Sequence, residues 1–175
     1  MNYFELFNIK VAFELDLASL AQTYQKLQRL THPDKFASGS EQQKLLAVQK
    51  NAQINDAYSL LKAPLSRAEY LLALRGMDLQ HEQHTIKDTA FLMQQMQWRE
   101  QLAEVQEQAD PLHELELLED EISQHIKHDL IQLEALLAIE TEEADQQAAN
   151  FIRKLKFLYK MCKEIDLKQD TLSDF

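Results

Sequence analysis

The sequence predicts an all-α protein built from two helical modules, and three observations carry that expectation. Of 175 residues only two are Gly and three are Pro, about 3% where average usage gives roughly 12%. Strands joined by tight turns need far more of both, so sandwiches, barrels and doubly wound sheets are disfavoured. Apolar residues recur three and four positions apart through most of the chain, the period of helices that bury one face. Charge is split: residues 1–75 hold nine Lys/Arg and seven Asp/Glu, net +2, whereas 76–175 hold nine and 22, net −13. Such a division suggests modules with different electrostatic tasks.

The same composition excludes several function classes. A net charge of −11 argues against nucleic acid as the main partner. Gly39 and Gly76 lie too far apart to write a phosphate-cradling loop or a dinucleotide fingerprint. Cys162 is the single cysteine, so neither a disulfide framework nor a cysteine-based zinc site can form within the chain. No apolar run approaches the roughly 20 residues of a membrane span, and MNYFELFNIK lacks the features of a signal peptide. The expectation is a soluble cytoplasmic protein.

The breakers and caps place each element. Asn2 followed by Glu5 resembles a capping box, opening a short helix on Tyr3, Phe4, Leu6 and Phe7. Asp16 is a good N-cap for the next, with Leu17, Leu20, Tyr24 and Leu27 on one side and a stop before Pro33. Ser40 can cap a third helix carrying Leu45, Val48, Ala52 and Tyr58 to Leu61. After Pro64 a fourth carries Leu65, Ala68, Leu71 and Leu72, and Gly76 fits its left-handed C′ position. Residues 76–84 lack a periodic apolar pattern and read as a linker.

Beyond the linker the pattern lengthens. A helix is expected over about 86–109, before Pro111, with Phe91, Trp98, Leu102, Val105 and Ala109 as its core stripe. A second covers about 112–139, with Leu115, Ile122, Ile126, Leu133 and Leu137 on one face. Thr141, followed by Glu142 and Glu143, caps a third, which carries Ala148, Phe151, Leu155, Leu158, Cys162 and Ile165. Three amphipathic helices with short connections make an antiparallel bundle over 85–175.

His32-Pro33-Asp34 stands between the second and third helices. Locally it needs to be no more than a helix stop, because Pro33 forces Thr31-His32 out of helical geometry and Asp34 can make turn hydrogen bonds. Its context is more specific. Upstream runs Tyr24-Gln25-Lys26-Leu27-Gln28-Arg29-Leu30-Thr31, and Lys35-Phe36 follow. Further on come Ile54-Asn55-Asp56-Ala57-Tyr58-Ser59-Leu60-Leu61 and Pro64-Leu65-Ser66-Arg67-Ala68-Glu69-Tyr70. In order and spacing this set resembles the J domain, the module that activates the ATPase of DnaK-class chaperones, over residues 1–75. The resemblance implies that His32, Pro33 and Asp34 dock on the chaperone, with Asp34 engaging one of its arginines. Lys26, Arg29 and Lys35 would steer the loop to an acidic surface. Thr31 stands where many J domains carry an aromatic, which removes packing from the loop.

General J proteins often continue into Gly/Phe-rich and Cys-rich segments, and neither exists here. Instead Asp88-Thr89-Ala90-Phe91-Leu92-Met93, Arg153-Lys154-Leu155-Lys156-Phe157-Leu158 and the closing Asp174-Phe175 resemble the HscB family, J-type co-chaperones of iron–sulfur cluster assembly. The resemblance spans the chain. It implies an L-shaped molecule, not an enzyme and without a cofactor, that brings the scaffold protein IscU to the dedicated chaperone HscA and stimulates its ATP hydrolysis.

The bundle also offers a reading from its own residues. Leu92, Met93 and Met96 fall off the core stripe, with Glu100 and Glu104 extending their line, and Phe157 lies off the core line of the last helix. Such a cluster either widens the core or marks a partner site. The family resemblance implies the second: Leu92, Met93, Met96, Gln97, Glu100, Glu104 and Phe157 would receive the scaffold. Relatives often carry an acid where Gln97 stands.

Rival readings draw on weaker signals. A general J protein serving DnaK needs only the first module. A metal or iron–sulfur carrier would use His81, Glu82 and His84, or His125 and His128, yet neither group has a clear third ligand and surface histidines are favoured. Cys162, on an apolar stripe, reads as a buried small hydrophobe. A hydrolase built on His32 and Asp34 lacks a nucleophile or acid partner beside them in sequence.

Overall fold

A computed structural model describes residues 1–79 and 86–174. Its described residues form α1 (Tyr3–Leu6), α2 (Leu17–Thr31), a 3-10 turn (Pro33–Phe36), α3 (Glu41–Lys62), α4 (Pro64–Leu74), α5 (Thr89–Glu104), a second 3-10 turn (Val105–Glu107), α6 (Pro111–Leu137) and α7 (Glu142–Ser173). No strand occurs among them. The chain divides into two compact units, Met1–Asp78 and Leu79–Phe175. Of the expected linker, residues 80–84 lie outside the described residues, as do His81, Glu82, His84 and Phe175.

In the first unit the expected caps form. Asn2 and Glu5 close a reciprocal capping box, Asp16 Oδ1 accepts from the amides of Ala18 and Ser19, and Ser40 pairs with Gln43. Asp16 binds Ser19 through its amide and its hydroxyl, which holds the carboxyl below its ordinary value. Gly76, at φ +94°, ends α4 in a Schellman motif: its amide reaches Ala73 O at 3.0 Å and that of Met77 reaches Leu72 O at 2.8 Å.

Helices α2 and α3 pair as a hairpin whose core lies at the end remote from the His-Pro-Asp loop. Phe4, Phe7, Leu20, Ile54, Ala57 and Leu61 are buried together there. The apolar stripe expected on α3 is therefore corrected. Leu45, Val48 and Ala52 are exposed, and Ala47, Ile54, Ala57 and Leu61 are the buried set. The N-terminal half of α3 reaches beyond the core, so its outer apolar residues have nothing to pack on. Tyr70 of α4 stacks on Tyr3 with ring centroids 5.1 Å apart, and its hydroxyl accepts the Tyr3 amide at 2.9 Å, fastening α1.

Arg67 is buried inside this unit. Its Nε donates to Phe13 O at 2.8 Å and its Nη1 to Leu61 O at 2.7 Å, while the guanidinium lies 4.8 Å from the Phe13 ring centroid. One planar fork thus supplies donors to the 7–15 segment and to the end of α3, two places where backbone carbonyls lack helical partners.

The second unit is a three-helix bundle. Gln169 Nε2 donates to Glu119 at 3.0 Å, tying the far end of α7 to the start of α6 as an antiparallel pair requires. Buried positions on α6 are Leu115, Leu118, Ile122, Asp129, Leu133 and Leu137. On α7 the stripe runs through Ala144, Ala148, Ala149, Ile152, Leu155, Leu158, Met161 and Ile165. Three expectations shift. Helix α5 ends at Glu104, so Ala109 is exposed rather than in the core. Phe151 and Cys162 flank the α7 stripe half-buried, with Met161 in the interior instead. Partial burial, with Asp166 and Glu119 near, raises the Cys162 thiol above its ordinary value, keeping it protonated and poorly nucleophilic.

Replacing Arg67 by Met keeps much of its volume and removes its donors. Leaving two buried carbonyls unpaired at about 1–3 kcal/mol each, the substitution should destabilise the N-terminal unit by about 2–4 kcal/mol in equilibrium urea unfolding. A change below about 0.5 kcal/mol would show that water replaces the fork.

Candidate functional site

The first candidate is the loop at the open end of the α2/α3 hairpin. Helix α2 stops at His32, whose backbone turns to φ −60°, ψ 130°, the extended geometry a following proline demands. Pro33 then starts the 3-10 turn. The Asp34 amide donates to His32 Nδ1 at 3.2 Å and the Lys35 amide to His32 O at 3.0 Å. His32 is therefore occupied in shaping the turn. The Asp34 carboxylate points outward, its side chain 93% exposed, with His32 Nδ1 3.5 Å away. Lys26, Arg29 and Lys35 are exposed, so the structure presents the six residues expected of the docking element on one hairpin and its loop.

Immediately below the loop, Thr31 Oγ1 donates to Leu27 O at 2.8 Å and accepts from Asn51 Nδ2 at 3.3 Å. Beside it lies an open, mainly apolar groove of about 240 Å³, lined by Thr31, Phe36, Gln43, Leu46, Ala47 and Lys50. Asn51 was not marked by the sequence. Its spacing of four from Asn55 on the inner side of α3 was the available signal.

The second candidate is the outer face of α5. Leu92, Met93 and Met96 are 37%, 60% and 72% exposed, and Gln97, Glu100 and Glu104 are exposed with them. The opposite face holds Trp98 fully buried. Phe157 corrects a simple surface reading: it is half-buried, stacked on Trp98 at 6.3 Å with an interplanar angle of 16° and edge-on to Phe91 at 5.8 Å. The Arg99 guanidinium covers the Phe157 ring at 5.3 Å and pairs with Glu164 of the same helix. Phe157 thus belongs first to the packing between α5 and α7, against Phe91 and Trp98. Asp88 caps α5 by accepting the Phe91 amide at 3.1 Å and pairs with Lys154 at 2.8 Å.

Comparison with known proteins now bears on these two surfaces. A co-chaperone protein HscB homolog from Pseudoalteromonas atlantica is 58% identical over 175 residues, covering all of both chains. The chain belongs to the HscB family of co-chaperones. A second HscB homolog, from Shewanella pealeana, is 52% identical over 174 residues, 99% of this chain and all of that one. The family description "HSCB C-terminal oligomerisation domain" matches residues 87–166. Among solved structures, the chaperone HscB from Vibrio cholerae is 44% identical with a TM-score of 0.87, covering 98% of this chain and 99% of that one. Human co-chaperone protein HscB is 30% identical with a TM-score of 0.88, covering 97% and 82%. The all-helical HscB fold expected from the sequence is the fold observed.

Among the described residues, no three His, Cys, Asp or Glu side chains gather as a metal set, and no helix is long and apolar enough to cross a membrane. His125 instead meets Trp98 ring-to-ring at 5.0 Å, and His128 Nδ1 lies 3.3 Å from Asp129.

Three outcomes follow for this HscB-family bundle. Phe157→Ala should lower bundle stability by about 2 kcal/mol, since a fully buried Phe→Ala costs about 3–5 and this ring is half-buried. The Met93→Ala/Met96→Ala pair should leave the urea midpoint unchanged. The hydrogen bond from Lys154, then the Phe91 amide, lowers the Asp88 carboxyl below its ordinary 3.8. Its contribution is therefore complete above that value and is lost as pH falls through the lowered one. Asp88→Asn should flatten this acid limb when stability is followed from pH 6 to pH 2.

Proposed function

We propose that the chain is a J-type co-chaperone of iron–sulfur cluster assembly that carries the scaffold protein IscU to the DnaK-class chaperone HscA and stimulates its ATP hydrolysis. The observation that carries this is the coexistence of both exposed surfaces on one chain that matches an HscB homologue from end to end. In this reading residues 1–75 act as the J domain, 76–84 as a linker and 85–175 as the client-binding bundle, and the protein works in the cytoplasm.

The chemistry of the docking loop is recognition, not catalysis. An outward carboxylate at Asp34 offers a charge-assisted bond to an arginine of the chaperone. Lys26, Arg29 and Lys35 raise the encounter rate with an acidic surface and lose that advantage as salt rises. On the bundle, Leu92, Met93 and Met96 supply apolar area and flexible, polarisable side chains suited to a reversible contact. Gln97, Glu100 and Glu104 form its polar margin, and the half-buried Phe157, packed on Phe91 and Trp98, contributes the exposed part of its ring. Fully burying an apolar side chain yields about 1.5–3 kcal/mol. Three such residues give about 4.5–9 kcal/mol before association costs, against the roughly 8 kcal/mol of a micromolar complex, so the contact is weak and reversible and draws on its polar margin as well. Holding client and chaperone on one chain raises the concentration of each beside the other.

Steady-state ATP hydrolysis by HscA, with and without IscU, tests the reading, and DnaK in place of HscA provides the comparison. Asp34→Asn should abolish stimulation in both conditions. Met93→Ala/Met96→Ala should keep the basal stimulation and lose the IscU-dependent part by about tenfold or more. If both variants behave like the unmodified protein, neither surface has the proposed role; equal stimulation of DnaK would favour a general J protein.

A further inference from the structure

A continuous polar chain climbs between α2 and α3 and ends on the residue before His32. It starts where Tyr24 and Tyr58 stack with ring centroids 4.0 Å apart. Tyr24 Oη donates to Asn55 Oδ1 at 2.6 Å and accepts from Gln28 Nε2 at 2.7 Å, and Gln28 Nε2 also reaches Asn55 Oδ1. Asn55 Nδ2 donates to Asn51 Oδ1 at 3.3 Å, and Asn51 Nδ2 donates to Thr31 Oγ1 at 3.3 Å. Thr31 Oγ1 closes the run on Leu27 O at 2.8 Å. All these contacts are partly buried, where a hydrogen bond is stronger than in water and an unmade one costs more.

The position of this chain matters more than its length. The apolar core lies at the other end of the hairpin, and the side of α3 facing the loop offers an open groove next to Thr31 rather than a packed interior. Phe36 lies along that groove on the exit side of the loop. On the entry side the Thr31–Asn51 hydrogen bond ties the chain to α3, and the 3-10 turn that follows packs along the same helix. The bonds inside the loop, from the Asp34 and Lys35 amides to His32, shape it internally without attaching it to α3.

We propose that Thr31 and Asn51 are positioning residues: their hydrogen bond holds the point from which His32, Pro33 and Asp34 leave the hairpin, and so sets the fraction of molecules whose loop is oriented for docking. This rests on the reading of the loop as the chaperone-docking element. A net hydrogen bond of typical strength changes a population about two- to tenfold. A loop oriented less of the time weakens apparent affinity by that factor and leaves the response at saturation unchanged.

The experiment titrates the full-length protein into HscA and reads the concentration giving half-maximal ATPase stimulation, with the maximum as a separate quantity. Thr31→Val removes the hydroxyl at nearly constant shape, Asn51→Ala removes its partner, and Thr31→Ser restores the hydroxyl. Ile54→Val trims the core without touching the chain of hydrogen bonds and serves as the stability control. Thr31→Val and Asn51→Ala should each raise the half-maximal concentration about three- to tenfold at an unchanged maximum, and Thr31→Ser should stay within twofold of the unmodified protein. In Thr31→Val without chaperone, the Lys35 amide should exchange with solvent faster by a similar factor. Unchanged half-maximal concentrations, while Asp34→Asn abolishes stimulation, would overturn the positioning role and leave the docking reading intact. A shift in Ile54→Val as large as in Thr31→Val would also overturn it, assigning the effect to global stability. Full stimulation by Asp34→Asn would remove the docking reading and this proposal with it.

Discussion

The N-terminal unit depends on where its apolar residues can be buried. Phe4, Phe7, Leu20, Ile54, Ala57 and Leu61 share one core at the closed end of the α2/α3 hairpin, and short helices in water need such packing to persist. Helix α1, the 7–15 segment and α4 all gather at that end, with Arg67 and Tyr70 satisfying backbone groups that the arrangement strands. The other end receives no comparable core. Stability is concentrated at the base, and the His-Pro-Asp loop lies at the tip, where Leu30, Leu45, Leu46 and Val48 stay exposed. A loop at such a tip is cheap to orient and equally cheap to disorder.

The bundle solves a different problem. Helix α5 buries Trp98, followed by Val105 in the 3-10 turn, and leaves its outer methionines to solvent, so it has less apolar anchorage than α6 or α7. Its N-terminus is reinforced instead by the Asp88 cap and the Lys154 ion pair. The Lys154 ammonium also lies over the rings of Phe91 and Phe151, at 5.5 and 5.4 Å. Two rings of the Phe91, Trp98 and Phe157 layer thus carry a cation on a face, Lys154 on Phe91 and Arg99 on Phe157.

Much of this was legible before any coordinates, and the reasons are local. Asn2, Asp16, Ser40, Asp88 and Thr141 act as caps because a side-chain oxygen before a helix satisfies its first amides whatever the tertiary context. Asp88 and Asp110, which cap α5 and α6, were not singled out in the sequence. Burial is harder to read because it needs a neighbour. Leu45 and Val48 have the right spacing on α3 but no helix opposite them, and Ala109 follows a helix that has already ended. Phe157 and Cys162 lie a fraction of a turn from where the pattern put them, enough to make both half-buried. His32-Pro33-Asp34 and its flanking residues were legible as an ordered motif. Asn51 and Arg67 were not, because polar side chains read as solvent-facing unless their acceptors are known, and those acceptors are distant in sequence.

Trp98 gives the molecule an optical asymmetry. The chain has one tryptophan and five tyrosines; four of the tyrosines, at 3, 24, 58 and 70, belong to the first unit, and Tyr159 shares the second with Trp98. Fully enclosed between Phe91, Phe157 and His125, the indole emits from the bundle alone. Excitation at 295 nm is blind to the unit that carries the His-Pro-Asp loop, whereas circular dichroism in the far ultraviolet weighs both. The protein therefore carries a built-in chromophore that distinguishes melting of the bundle from melting of the hairpin without any label.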